Sequence, residues 1–126
     1  MRGGRALITE RGVEPHKGRF DIPGGFLMAG EAPVDGLQRE LKEELGDVEV
    51  EVGPLMHMVP HDYGAEGDFV LALGFLARLV SGEPVAADDV ASVRWISPDE
   101  VDEVGFAWDH DRELVKKALE LDREGS

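Results

Sequence analysis

Residues 25–46 read GFLMAGEAPVDGLQRELKEELG, and this stretch decides how the rest of the chain is interpreted. Its second half predicts a helix, because Pro33 suits a first helical turn and Gly46 suits a helix end. Four apolar residues recur at helical spacing and predict one buried face of that helix: Val34, Leu37, Leu41 and Leu45. The helix therefore follows directly on a glycine-rich segment.

Three glutamates of the predicted helix, Glu40, Glu43 and Glu44, stand three and four residues apart. Like charges at this spacing destabilise a helix by roughly 0.2–0.5 kcal/mol per pair, so a positive partner is expected. They fall beside the apolar face and point toward Gly24-Gly25, where glycine lets the backbone approach a ligand closely. Such oxygen donors suit Mg²⁺ or Mn²⁺, and a divalent ion that activates water beside a phosphate predicts phosphoanhydride hydrolysis. The alternative is a solvated acidic helix face.

The remaining sequence predicts strands, a short turn capped by Ser97 at Pro98, and a second helix over residues 109–123. Residues 69–79 are almost continuously apolar, which predicts a central strand buried on both faces. Residues 61–68 form a polar loop, and residues 26–28 read as extended. The other predicted strands cover residues 5–9, 48–52, 55–59 and 90–96. This order predicts an α+β fold, an α/β/α sandwich with a mixed β-sheet flanked by helices.

Length and composition restrict the class of protein. With 126 residues, the chain is long enough for a single domain over residues 1–126 with its own core. It contains no cysteine, which excludes thiolate metal sites and is compatible with a reducing, cytoplasmic location. Its net charge of −14 argues against nucleic-acid binding, and no apolar segment is long enough to span a membrane.

The spacing of the fixed residues in the opening stretch resembles the Nudix box. Those residues are Gly25, Glu31, Arg39, Glu40, Leu41, Glu43, Glu44 and Gly46. Asp47 stands where the family usually has an aliphatic residue, which affects packing and not the acidic positions. Residues 17–23 are similar to the family's approach to the glycine pair. Residues 93–96 and 106–110 resemble the ADP-ribose pyrophosphatase branch.

The resemblance implies roles for the acidic residues. Glu40 and Glu44 would be metal ligands, Glu43 a third ligand or the base that activates water, and the Gly25 carbonyl a further ligand. Arg39 would orient a glutamate by ion pairing. The expected cofactor is Mg²⁺, with Mn²⁺ able to substitute.

Residues outside the helix are also candidates. Some family members carry a further acid, as ligand or base, in the loop before the strand that contains Trp95; here Asp89, with its neighbour Asp88, occupies that loop, and a solvated surface pair is the alternative. Glu31 is expected either to support the helix start or to lie behind the metal ligands. Three residues before the glycine pair are candidates to bind substrate: Arg11, Arg19 and Phe20. The two arginines could pair with substrate phosphates, and ordinary loop charge is the alternative for them.

Histidines and aromatic residues leave alternatives open. His16, His57, His61 and His110 form no paired zinc motif, and a structural or exposed role is favoured for each, with His110 the best candidate for a direct role. Three aromatic side chains could stack on a base, although packing in the core is favoured: Tyr63, Phe106 and Trp108.

The implied function is Mg²⁺-dependent hydrolysis of a pyrophosphate bond in a nucleoside diphosphate linked to another group, with ADP-ribose-like substrates favoured. One alternative is removal of damaged nucleoside triphosphates such as oxidised dGTP. Another is a nucleotide-sensing domain without turnover. Family members commonly carry a longer N-terminal strand, so the sheet is expected either to continue upstream of Met1 or to be completed by a partner chain in a homodimer.

Overall fold

The computed structural model of the protein describes residues 1–63 and 68–124. A short first strand and a two-residue second strand precede a helix, and three longer strands, a 3₁₀ helix and a second helix follow. In chain order the elements are β1 (Ala6–Arg11), β2 (Phe20–Asp21), α1 (Pro33–Leu45), β3 (Glu49–Tyr63), β4 (Asp68–Ser81), β5 (Val90–Ile96), the 3₁₀ helix (Pro98–Glu103) and α2 (Asp109–Glu124).

The strands pair in two antiparallel sheets. One has the order β2-β1-β5, with Ile8 opposite Arg94, and the other pairs β3 with β4. The α+β class is therefore confirmed, but the expected single mixed sheet is divided into two antiparallel ones within residues 1–63 and 68–124. An isolated parallel bridge joins Phe20 to Phe106 and holds β2 near the start of α2.

Both helix ends of α1 lie where the sequence predicts them. The helix begins at Pro33 and ends before Gly46, whose φ of 82° is easily adopted only without a side chain. Leu41 and Leu45 are buried and pack on Val48 in one apolar cluster. Leu37 is partly buried against that cluster, but the prediction for Val34 is wrong, since it is 40% exposed in the first turn.

A second apolar cluster lies beneath α2. Its members come from β1, β5, the 3₁₀ helix, the segment that follows it and α2: Ala6, Ile8, Ile96, Val101, Val104, Phe106, Val115 and Leu119. The predicted cap is present, because the Ser97 N–H and hydroxyl both donate to Glu100 Oε1 at 3.0 Å. The core thus anchors the segment that leads into α2.

The long strands depart from the sequence predictions in two ways. The two short strands predicted at residues 48–59 are one strand, β3, whose register shifts around residues 52–57. The predicted burial of residues 69–79 on both faces is wrong, because Leu71 is 59% exposed and β4 pairs with one strand among the described residues. Strand pairing also extends into the predicted loop, through Tyr63 and from Asp68; residues 64–67 lie outside the described structure.

The first residue lies along the edge of β4 that faces away from β3. The Met1 amine donates to the Ala77 carbonyl at 3.0 Å, and the Leu79 N–H donates to the Met1 carbonyl at 3.0 Å. This is the hydrogen-bond pattern of a parallel neighbour. In the described part of the chain, no helix is long and apolar enough to cross a membrane.

The segment between the glycine pair and α1 is a loop and not the extended continuation that was predicted. Phe26, Leu27 and Met28 are 58%, 50% and 60% exposed. The Met28 N–H donates to Glu31 Oε1 at 2.9 Å and the Glu31 N–H donates to the Met28 carbonyl at 3.1 Å, which closes the loop on itself before α1. This turn brings Glu31 back beside α1.

Candidate active site

The glycine pair contacts two glutamates of α1 directly. The Gly24 N–H donates to Glu44 Oε1 at 2.7 Å. A Cβ atom on Gly25 would overlap the carboxylate of Glu40, so only glycine leaves room for that side chain. The predicted approach of the α1 glutamates to this turn is therefore confirmed for Glu40 and Glu44.

Arg39 supplies the positive charge that the crowded glutamates require. Its Nε donates to Glu31 Oε2 at 2.7 Å and its Nη2 to Glu31 Oε1 at 3.0 Å, a two-pronged ion pair. Its Nη1 donates to Glu40 at 2.8 Å and to Glu43 at 3.2 Å. We refer to Arg39, Glu31, Glu40 and Glu43 as the Arg39 network. One guanidinium thus serves three carboxylates.

The pKa values of Glu31 and Glu44, two acids of this cluster, are shifted in opposite directions. Hydrogen bonds from Arg39 and from the Met28 N–H lower the pKa of Glu31 to about 2, while the three glutamates raise the pKa of Arg39 above its usual value. Burial raises the pKa of Glu44 to about 7, and the hydrogen bond from Gly24 only partly opposes this. A positive partner would therefore be needed to keep Glu44 ionised near neutral pH.

Two further aspartates act on Glu44, and the sequence analysis missed one of them. The charges of Asp21 and Asp88 contribute to the raised pKa of Glu44, so both lie close to it. Asp21 ends β2, only three residues before Gly24, and no motif marked it. Asp88 adopts a positive φ of 54°. Asp88 and its neighbour Asp89, the residue favoured from the sequence, are both exposed, and the Asp89 carbonyl accepts a hydrogen bond from the Gly12 N–H at 2.8 Å.

The predicted substrate-binding residues occupy three different environments. Arg11 is largely buried, and its Nη1 lies 2.8 Å from Asp21 Oδ2. Arg19 is exposed, with its side chain beside Gly105. Phe20 packs against the cluster beneath α2. Their binding of substrate stays a prediction.

The aromatic candidates separate into core and site. Phe106 is 7% exposed, which confirms the favoured core role. Trp108 is half-buried and contacts Arg11, with the guanidinium carbon 4.9 Å from the ring centroid. The side chains of Tyr63 and His61 lie outside the described part of the structure.

The carboxylate oxygens near the glycine pair suit a divalent cation, although they are not arranged around a common point. Among residues 1–63 and 68–124, no group of three or more His, Asp or Glu side chains is placed to hold a metal ion. Arg39 explains this, because Glu40 and Glu43 point to its guanidinium. The side-chain donors at the glycine pair are carboxylate oxygens, the ligands that Mg²⁺ prefers, and Glu40 lies where a Cβ would be. A bound cation would therefore compete with Arg39 for Glu40 and Glu43.

Comparisons with known proteins agree with this geometry. The NUDIX domain family model matches residues 1–118. A Methanocaldococcus jannaschii protein named ADP-ribose pyrophosphatase is 28% identical over 108 residues, which are 86% of this chain and 62% of that protein. A Mycobacterium tuberculosis protein named putative 8-oxo-dGTP diphosphatase 2 is 35% identical over 107 residues, 84% of this chain and 74% of that protein. The chain thus spans less than two-thirds of the length of the archaeal relative.

A solved structure supports the fold independently of close sequence similarity. A NUDIX hydrolase from Nitrosomonas europaea aligns with a TM-score of 0.81 over 100% of this chain and 69% of that one, at 22% identity. That structure shows the shared fold, and the match of the family model over residues 1–118 shows the family. The chain belongs to the Nudix family, as the box at residues 25–46 predicts.

Proposed function

We propose that this Nudix domain is a Mg²⁺-dependent hydrolase of a pyrophosphate bond in a nucleoside diphosphate linked to another group, with ADP-ribose-like substrates favoured. The observation that carries the proposal is the contact of the glycine pair with α1. Glu44 accepts the Gly24 N–H, and the Glu40 carboxylate occupies the space above Gly25. Two acidic side chains are thereby held at one backbone turn, where an anionic substrate requires a cation between itself and the protein.

The proposed roles of the chain's own residues follow from their positions. Glu40 and Glu44, with the Gly25 carbonyl, would hold the cation, and Glu43 would be a third ligand or the base that takes a proton from water. A bound Mg²⁺ supplies charge that polarises a phosphoryl group and lowers the pKa of water. Arg39 positions Glu40 and Glu43 through its 2.8 Å and 3.2 Å contacts. Glu31 in turn fixes the Arg39 guanidinium from its other side.

A loop acid completes the proposed site. Asp89 was the candidate from the sequence, but the electrostatic effect on Glu44 favours its neighbour Asp88. Asp21 is a second new candidate, since its charge also acts on Glu44. Substitution of each by asparagine, with kcat measured at saturating Mg²⁺, separates them. We expect larger losses for Asp21 and Asp88 than for Asp89.

Two alternatives remain as proposals of lower rank. Removal of oxidised dGTP is favoured by the name of the Mycobacterium tuberculosis relative, which is 35% identical over 84% of this chain. The name of the archaeal relative, which is 28% identical over 86% of this chain, favours an ADP-ribose substrate. Nucleotide sensing without turnover ranks last, because all the box acids are present.

The decisive experiment is a panel of nucleotides incubated with Mg²⁺, with products resolved by mass. ADP-ribose should give AMP and ribose 5-phosphate, whereas an oxidised dGTP substrate would give the monophosphate and pyrophosphate. Reactions in ¹⁸O-labelled water identify which phosphorus is attacked. Parallel reactions with excess EDTA test the need for a cation, and the Glu44→Gln protein controls for contaminating enzymes. Hydrolysis of none of the compounds would transfer support to the sensing alternative.

We also propose a homodimer in the cytoplasm. On the edge of β4 that faces away from β3, Ala77 and Leu79 form backbone hydrogen bonds with Met1. The same strand carries Leu71 and Val80 at 59% and 63% exposure, which favours further pairing by another chain. The absence of cysteine fits a reducing compartment. Light scattering after size exclusion tests the dimer, and a monomer at micromolar concentration would contradict it.

A further inference from the structure

We propose that Gly82, in the loop between β4 and β5, is a positioning residue that holds Asp88 beside Glu44 and thereby sets the affinity of the site for a divalent cation. We call residues 82–89 the capping loop, because its backbone caps the C-terminal end of α1. This role rests on the proposed function, since it requires a cation at the glycine pair. Gly82 acts through Asp88 and not by contact with the cation.

The capping loop supplies hydrogen-bond donors to the end of α1. The Ala87 N–H donates to the Glu44 carbonyl at 2.9 Å, and the Val85 N–H donates to the Leu45 carbonyl at 2.9 Å. The last four carbonyls of a helix have no partner within the helix, and here two of them find one in a loop that follows β3 and β4. The loop is thereby attached to Glu44, the residue whose side chain reaches the glycine pair.

Asp88 lies between two backbone attachments of the capping loop. Ala87, just before it, is bonded to α1, and the carbonyl of Asp89, just after it, accepts the Gly12 N–H at 2.8 Å at the end of β1. Burial raises the pKa of Glu44 and the charge of Asp88 adds to this effect, so Asp88 lies near that carboxylate. The position of Asp88 is therefore set by backbone contacts on both of its sides.

Without a cation, the position of Asp88 is unfavourable in two respects. Its φ of 54° is a left-handed conformation, which destabilises the backbone of every residue except glycine, although aspartate tolerates it better than most. Its charge also acts on Glu44, a second carboxylate, in a chain with a net charge of −14. Strained residues of this kind cluster at functional sites, and a cation bound by both carboxylates would offset their repulsion.

Gly82 allows the capping loop to approach the end of α1. Its φ is 88°, and a Cβ atom there would overlap the carbonyl oxygen of Asp47 and lie 3.1 Å from the Cα of Val48. Both atoms belong to the backbone just after α1, so they cannot move aside as the end of a flexible side chain could. A side chain at position 82 would therefore push the loop, and Asp88 with it, away from α1.

The alternative is a purely structural cap that stabilises α1 and has no effect on the cation. The helix has a cap of its own, because the Gly46 N–H donates to the Lys42 carbonyl at 3.0 Å. A structural cap would change the stability of the protein when it is disrupted, but not its cation affinity through Asp88. Stability and cation affinity therefore have to be measured on the same variants.

Binding of Mn²⁺ alone tests the proposal without catalysis, because the electron paramagnetic resonance signal of the free ion decreases as the ion binds. Gly82→Ala should raise the dissociation constant of Mn²⁺ roughly 10-fold, and Asp88→Asn should raise it roughly 10-fold or more. Gly4→Ala is the matched control, since Gly4 has a φ of 76° and a Cβ there meets nothing within 4 Å. It introduces the same backbone strain without the overlap and should bind Mn²⁺ like the parent protein.

A double-mutant cycle separates positioning from packing. If Gly82 acts through Asp88, the protein with both Gly82→Ala and Asp88→Asn should bind Mn²⁺ as weakly as Asp88→Asn alone. Thermal unfolding should show the same loss of midpoint from Gly82→Ala in both backgrounds, because the overlap with Asp47 does not depend on the Asp88 charge. An equal further loss of Mn²⁺ affinity in both backgrounds, or no loss in the parent background, would overturn the proposal.

Ala87→Pro is a second variant that leaves Gly82 intact. Proline has no N–H, so the hydrogen bond to the Glu44 carbonyl is removed. The variant should follow the same pattern, with weaker Mn²⁺ binding in the parent background and no further loss beside Asp88→Asn. Parent-like binding by a folded Ala87→Pro protein would show that the attachment to α1 does not position Asp88.

The role of Gly82 and the enzymatic proposal fail separately. Coupled effects of Gly82→Ala and Asp88→Asn on Mn²⁺ binding, with no hydrolysis of any nucleotide, would support the positioning role and remove the enzymatic proposal. Hydrolysis of nucleotides, with Mn²⁺ binding that Gly82→Ala leaves unchanged, would do the reverse. Parent-like Mn²⁺ binding by Glu44→Gln would place the ion elsewhere and overturn the positioning role.

Discussion

Glu31, just before α1, and Asp111, near the start of α2, are both carboxylates, but their surroundings shift their pKa values in opposite directions. Before α1, Glu31 receives two hydrogen bonds from Arg39 and one from a backbone N–H, which lower its pKa to about 2. In α2, Asp111 is 5% exposed, and burial raises its pKa to about 7, with the nearby charge of Asp21 adding to the effect. Arg11 opposes the shift only in part.

The difference shows that a matched cation and burial act on a carboxylate in opposite directions. At α1 one guanidinium is shared among three acids, and its hydrogen bonds lower the pKa of one of them, Glu31. At α2 the guanidinium that acts on Asp111, that of Arg11, is already paired with Asp21. Burial therefore keeps the pKa of Asp111 above its ordinary value, and His110 Nε2 lies 3.4 Å from Asp111 Oδ1.

The largest expected effect comes from the α1 carboxylate that the Arg39 network does not include. Glu44→Gln removes a charge from the glycine pair but keeps the size of the side chain, so the fold should be preserved. We expect kcat for the best substrate to fall about 100-fold or more. Glu120→Gln, the same change on an exposed position of α2, is the matched control. Near-normal turnover by the Glu44 variant would remove Glu44 from the site.

The next effect tests the close approach of the backbone to Glu40. Gly25→Ala adds a Cβ where the Glu40 carboxylate lies, so the carboxylate must move away from the turn. We expect kcat to fall about 10-fold or more, because displacement of a reacting group by about 1 Å is sufficient for a large loss. Thermal unfolding monitors whether the fold survives. Full activity in a folded Gly25→Ala protein would show that Glu40 acts from elsewhere.

The buried acid at α2 should reveal itself in the pH dependence of stability. Below its ordinary pKa of 3.8, Asp111 is protonated in both the folded and the unfolded protein. As the pH rises to about 7 the unfolded chain releases this proton while the folded protein keeps it, so stability falls, by at most about 1.4 kcal/mol per pH unit. Asp111→Asn removes this dependence. We therefore expect the variant to gain stability relative to the parent as pH rises from 4 to 7.

Urea unfolding at pH 4, 5, 6 and 7 measures this difference. Asp109→Asn, an exposed neighbour in the same helical turn, is the matched control and should track the parent protein. A stability difference between Asp111→Asn and the parent that does not change with pH would mean that Asp111 is ionised in the folded state across this range.

The smallest expected effect lies in the Arg39 network. Arg39→Gln leaves Glu31, Glu40 and Glu43 without their shared cation, so the metal-free protein should lose a few degrees of thermal midpoint through repulsion. Added Mg²⁺ should then raise the midpoint more in the variant than in the parent, because the ion no longer competes with a guanidinium. Arg94→Gln, which breaks an exposed pair with Glu100, is the control. An equal Mg²⁺ response in all three proteins would show that Arg39 and the cation do not share ligands.

Local features of the fold were predictable from the sequence, and features that depend on distant pairing were not. Pro33 and Gly46 marked the ends of α1, and Ser97 marked the 3₁₀ helix, because caps depend on residues within one turn. The apolar run at residues 69–79 predicted a strand buried on both faces, whereas β4 has one strand partner in the described structure. Burial of both faces depends on the elements that pack around the strand, and the sequence of a single strand does not specify those elements.

The same division holds within the candidate site. The spacing of Glu40 and Glu44 and the glycine pair could be recognised along the chain, because all lie within about one helix length. The sequence by itself thus determined the family and the acidic helix. Only the tertiary structure decided that Asp21 lies near Glu44, that Arg39 serves three acids, and that His57 stacks on His110. These groups come from different elements, and their charge, burial and ring contacts exist only once the sheets and helices have packed together.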